Sequence, residues 1–148
     1  MEPIRQHQNA FSVAGLTTRT TNSAEGDPQT ARIAPLWGRF FAEDLMGQTP
    51  HRSADPRNFG VYSGYESDAS GAYDLTVGVA VTQGAAVTVE AGDYLVFPAD
   101  GPVPFSVLAA WQRVWLYFDA HPEVQRRYRT DFEAYSSPSQ AALYIGVV

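Results

Sequence analysis

The sequence predicts an α+β fold built as a tandem βαββ duplication: two pseudo-symmetric antiparallel-sheet modules, one main helix each, with a central cleft. Three observations predict it. Two aromatic segments, LWGRFF at 36–41 and AWQRVW at 110–115, set Trp37 and Trp111 74 positions apart in a chain of 148 residues. FGVYS at 59–63 returns as FEAYS at 132–136, 73 positions on, and VGVA at 77–80 returns as IGVV at 145–148, 68 positions on. AGLTT at 14–18 opens as AGDYL does at 91–95, so four segments recur in one order at nearly one spacing.

Each element has its own reason. Residues 1–9 form a loose polar lead-in. Residues 10–21, AFSVAGLTTRTT, are rich in β-branched and small residues and predict a strand. Asp27 followed by Pro28 predicts a helix start, an oxygen to cap and then Pro at the first helical position. Ile33, Leu36, Trp37, Phe40, Phe41 and Leu45 then repeat at helical spacing, ending near Gly47. Residues 48–58 form a loop. FGVYSGYES (59–67) and AYDLTVGVAVT (72–82) predict two strands joined at DASG, with Tyr73, Leu75, Val77, Val79 and Val81 on one face. A link over 83–93 leads to the strand 94–99. Pro102 and Pro104 open a second helix over 103–121, with Val107, Leu108, Trp111, Val114, Trp115 and Phe118 as its apolar set. Strands at 129–137 and 141–148 turn at PSQ. The chain thus forms a single domain over 1–148, with repeat halves at about 10–82 and 87–148.

The composition restricts the function. Hydrophobic residues make up 45% and no apolar run reaches the ~20 residues of a membrane span, which predicts a soluble, cytoplasmic protein without a membrane partner. Cysteine is absent, so disulfides and thiolate metal sites are excluded. All ten basic residues are Arg and the net charge is −6, which disfavours direct nucleic-acid binding. RRYR at 126–129 reads as a solvated surface turn. His7, His51 and His121 are scattered without ligand spacing, so no metal site is expected, and neither the phosphate-loop pattern nor a serine elbow occurs.

The repeat makes its own exceptions informative. Gly60 in one copy stands where Glu133 stands in the other. Spacing alone leaves two readings of Glu133: a solvated carboxylate on a strand face, or a carboxylate among aromatic rings that needs a positive partner to offset its desolvation. Trp37, Trp111 and, more strongly, Trp115 read as helix core. Tyr62, Tyr65, Tyr73, Tyr117 and Tyr144 read as packing residues with a free hydroxyl.

The βαββ pattern, the Trp-bearing helices, VYSGYESDASGAYDLTVGVAV, AGDYLVF, AWQRVWLYF and DFEAY together resemble the GyrI-like, AraC-type effector-binding domains. The stretch YSGYESDASGAYDLTVG, with VAGLTTRT, is most similar to the integron-associated effector-binding branch. The resemblance implies a cleft between the halves that binds lipophilic aromatic cations, with no cofactor. It implies Glu133 as charge anchor, and Trp37, Tyr62, Tyr65, Trp111 and Tyr135 as ligand-binding aromatics. Many relatives carry a helix-turn-helix region; this acidic chain has no room for one, so a stand-alone sensor or sequestering protein is expected. The alternative implied by the family is a hydrolase of reactive small molecules, with Glu133 as general base beside Tyr135 or Tyr62. An unidentified protein partner ranks last.

Overall fold

A computed structural model describes residues 3–148. Its strands are β1 Ile4–Gln8, β2 Phe11–Thr20, β3 Asn58–Ser63, β4 Tyr73–Val81, β5 Val87–Val89, β6 Gly92–Asp100, β7 Asp131–Ser137 and β8 Gln140–Gly146. The helices are α1 Asn22–Glu25, α2 Ile33–Ala42, α3 Leu45–Gln48 and α4 Phe105–Ala120. All eight strands join one antiparallel sheet in the order β1-β6-β8-β7-β3-β4-β2-β5. The two modules therefore merge into one sheet at the β3–β7 pair.

The register there bears out the duplication. Gly60 pairs with Glu133, Phe59 with Ala134 and Val61 with Phe132. Repeat counterparts thus face each other about one point, and the pseudo-two-fold passes between Gly60 and Glu133. The two outermost strands extend the symmetry and cross it. β1 precedes β2 but pairs with β6, whereas β5 precedes β6 but pairs with β2. Each half lends its first strand to the edge of the other.

Alternation gives the sheet two different faces. On the helix side, α4 packs over Leu95, Phe97, Leu143 and Ile145 through Val107, Ala110 and Val114. There α2 packs over Leu75, Val77 and Val79 through Leu36 and Phe40. On the other side, Val13, Phe59, Val61, Ala80, Val89, Tyr94 and Phe132 form a separate core drawn from six strands, around which the sheet curls. The backbones of β2 and β4 cross closely at the Gly15–Gly78 pair, where a Cβ on Gly15 would lie 1.9 Å from the Val77 carbonyl oxygen. Gly15→Ala is expected to lower stability by about 1–3 kcal/mol, read from urea unfolding, because backbone rather than a flexible side chain must yield.

Several expectations need correction. The polar lead-in is a strand: IRQHQ carries no apolar alternation because it is an exposed edge, held by pairing to β6 and by Arg5 on Asp93 at 3.1 Å. Asp27 does not cap the first main helix. Thr21 caps the short α1, Asp27 heads a turn, and α2 starts at Ile33, where the Glu25 carboxylate accepts the N–H groups of Arg32 and Ile33 at 2.9 and 3.1 Å. That carboxylate satisfies helix-start donors from seven and eight residues upstream, beyond the reach of a local capping pattern. The helix also breaks before Gly47, at Asp44 with φ 50°, and resumes as α3. The strand expected over 59–67 stops at Ser63, because Gly64 turns left-handed, and a nine-residue loop replaces the tight DASG hairpin. β5 interrupts the link over 83–93.

Candidate functional site

The pseudo-two-fold fixes which residues meet. Gly60, Tyr62, Glu133 and Tyr135 lie on the helix side of β3 and β7, the side that α2 and α4 cover. Trp37 projects from α2 and Trp111 from α4. Each Trp meets the Tyr of the opposite half: Trp37 meets Tyr135 edge-on at 5.1 Å between ring centroids, and Trp111 meets Tyr62 edge-on at 5.2 Å. Four aromatic residues in two symmetric pairs thus surround one carboxylate that breaks the symmetry.

Glu133 is 3% exposed. Its Oε2 accepts from the Tyr62 hydroxyl at 2.8 Å and from Trp111 Nε1 at 2.8 Å. Its Oε1 accepts from the Tyr135 hydroxyl at 2.7 Å. Gly60 makes the room: a Cβ there would lie 2.9 Å from Oε1 and 3.2 Å from the Trp37 ring. A second glutamate on the axis would also place two like charges together. The repeat can hold one carboxylate at its centre, opposite a glycine.

The electrostatics follow from burial. Desolvation pushes the Glu133 carboxyl above the ordinary glutamate range, against the three hydrogen bonds that favour its charge. Burial, and then the Glu133 charge, hold the Tyr62 and Tyr135 hydroxyls well above the usual tyrosine value, so both remain donors. Two positions away on the same face, Asp131 is fully buried but differently served. Arg126 Nη2 donates to it at 2.8 Å, the Gly146 N–H at 2.7 Å, and Tyr65 donates to the same Oδ2 as Arg126. Both carboxylates are buried; Asp131 carries an arginine, and Glu133 has only neutral donors among the described residues.

The structure therefore places Trp111, Tyr62 and Tyr135 on Glu133, and Trp37 against Tyr135 and Gly60. It places Tyr65 on Asp131, one ring removed from the cage through Tyr73, which lies 6.1 Å from Tyr65 and 5.4 Å from Tyr62. Sequence reasoning missed Asp131 and Arg126. Arg126 belongs to the supposed surface turn, yet its side chain is 7% exposed and sits 4.5 Å over the Tyr128 ring. Trp115, expected in the core, is 45% exposed. No group of three or more His, Asp or Glu side chains among the described residues is placed to hold a metal ion. No described helix is long and apolar enough to cross a membrane.

Known proteins share this architecture. An integron cassette protein from the mobile metagenome of Vibrio cholerae, VCH_CASS2, is 32% identical, with a TM-score of 0.83 over 99% of this chain and 96% of that one. The SAV2435 structure, solved bound to tetraphenylphosphonium, superposes with a TM-score of 0.79 at 18% identity, over 100% of this chain and 94% of that one, and attests the fold. The YobU protein of Bacillus subtilis (strain 168), named as a candidate transcriptional regulator, is 28% identical over 137 residues, 87% of this chain and 83% of its own length. The family described as integron-associated effector binding protein matches residues 6–147. With that match spanning nearly the whole repeat, the chain belongs to the family of integron-associated effector-binding proteins.

Proposed function

We propose that this effector-binding protein binds lipophilic aromatic cations in the cleft between α2 and α4, with Glu133 as the counter-charge and Trp37, Trp111, Tyr62 and Tyr135 as walls. One observation carries the proposal: Glu133 is a buried carboxylate without a cationic partner among the described residues, while its buried neighbour Asp131 has one. A cation supplies the missing charge, and each ring face adds about 0.5–2 kcal/mol of cation–π attraction. The tetraphenylphosphonium held by SAV2435 has the same chemistry. The rings cover Glu133, so ligand entry displaces at least one of them, and the Glu133–aromatic hydrogen bonds are exchanged for the ion pair. Hydrolysis fits less well, because three donors occupy the carboxylate oxygens that a general base would offer to water.

Titration calorimetry with tetraphenylphosphonium tests this, and pH supplies the sign. A cation favours the charged carboxylate, so affinity is expected to rise as pH increases from about 4.5 through the raised Glu133 value, and then to level off. Absence of binding at neutral pH, or affinity flat across that range, contradicts the proposal. The stability contribution of Glu133 runs the opposite way. Its folded value is raised, so that contribution is fully present below the unfolded value and is lost as pH rises through the folded one.

A further inference from the structure

We propose that Phe41 and Trp115 form two outer subsites on opposite sides of Glu133, so that the protein selects cations bearing an aromatic group on each of two sides. This rests on the cation-binding reading and adds the residues that discriminate among cations. Phe41 and Trp115 are repeat counterparts, 74 positions apart, as Trp37 and Trp111 are. Each lies one helical turn beyond the Trp of its own helix, stacked on it in α2 and tilted against it in α4. The centroids are 6.0 Å apart at 21° for Trp37 and Phe41, and 6.3 Å apart at 34° for Trp111 and Trp115.

Core packing does not account for these rings. The buried positions of the two helices are Leu36 and Phe40, and Val107, Ala110 and Val114. Phe41 is 60% exposed and Trp115 is 45% exposed. Exposed aromatic rings that lean on the rings around a buried carboxylate, unpaired among the described residues, point to binding rather than folding. The axis between Gly60 and Glu133 relates α2 to α4, so the helices run antiparallel across the cleft. Phe41 and Trp115 therefore fall at diagonal ends of it, each extending an inner Trp outward. One charge lies at the centre, and one aromatic ladder leads away from it on either side.

The test compares tetraphenylphosphonium, with aryl groups on all sides of its charge, against trimethylphenylammonium, with one ring. Calorimetry is run on the wild type, Phe41→Ala, Trp115→Ala and the double variant, with melting temperatures measured in parallel. Each single change is expected to weaken tetraphenylphosphonium binding by about three- to tenfold, with the losses multiplying in the double variant. A one-ring cation can use either ladder, so each single change is expected to cost it less than about twofold. Phe41→Tyr and Trp115→Phe keep a ring and retain affinity. Tetraphenylphosphonium affinity unchanged in the double variant, with Glu133→Gln still weakening it, overturns the outer subsites and leaves the Glu133 site standing. Equal losses for both cations overturn them too, because the rings would then act on Glu133 rather than on the arms of the ligand. A wild type that binds neither cation overturns both proposals together.

Discussion

Glu133→Gln is expected to weaken tetraphenylphosphonium binding by at least about thirtyfold, equivalent to about 2 kcal/mol, while the melting temperature at neutral pH stays level or rises. The two readouts separate because the substitution keeps the hydrogen bonds and removes the charge. Tyr62 and Trp111 both donate to Oε2, where the carboxamide oxygen of Gln accepts both. Tyr135 donates to Oε1, where the amide nitrogen of Gln donates back to the hydroxyl. The geometry survives with one hydrogen bond reversed. What disappears is a desolvated negative charge that costs stability at neutral pH and that a bound cation neutralises. Thermal denaturation alongside calorimetry checks both. A large fall in melting temperature would mean that Glu133 is a structural acceptor first.

Arg126→Met is expected to act in the opposite sense, lowering stability by about 3–5 kcal/mol. Asp131 is fully buried and would lose its only arginine, keeping Tyr65 and the Gly146 N–H as neutral donors. For a domain of this size that loss corresponds to a fall in melting temperature of about 10 °C or more. Adding Asp131→Asn removes the stranded charge, so the double variant is expected to recover much of the loss in urea unfolding. A double variant no more stable than Arg126→Met would mean that Arg126 acts through its stacking on Tyr128 and Phe118 instead. Together the Glu133 and Asp131 variants distinguish a carboxylate kept for a ligand from one kept for the fold.

The repeat was legible because both halves had to build the same helix and the same central strands. LWGRFF and AWQRVW marked the two main helices, and the difference between Gly60 and Glu133 marked the axis, since a shared fold alone does not set Gly in one copy and Glu in the other. Other parts were hidden for physical reasons. β1 is an exposed edge held by backbone pairing and by polar contacts such as Arg5 on Asp93, so its side chains carry no apolar period. The cap of α2 is Glu25, brought in by an intervening turn rather than by adjacency. Arg126 reads as one of a cluster of surface arginines until Asp131 is known to point inward beside it. Tyr65 shares a sequence neighbourhood with Tyr62, yet the turn at Gly64 carries its hydroxyl to Asp131. The exposure of Trp115 was invisible because helical spacing sets which residues share a stripe, not whether a partner covers that stripe.

The most direct test of the account is the carboxylate 13C shift of Glu133, followed through pH with and without saturating tetraphenylphosphonium. Without the cation, the midpoint is expected above the ordinary glutamate range, as burial among Trp111, Tyr62 and Tyr135 dictates. With the cation, the midpoint is expected to move to lower pH, by the logarithm of the ratio of affinities for the charged and protonated forms. A midpoint that stays in place while the cation binds would show that the ligand sits elsewhere and that Glu133 is not its counter-charge.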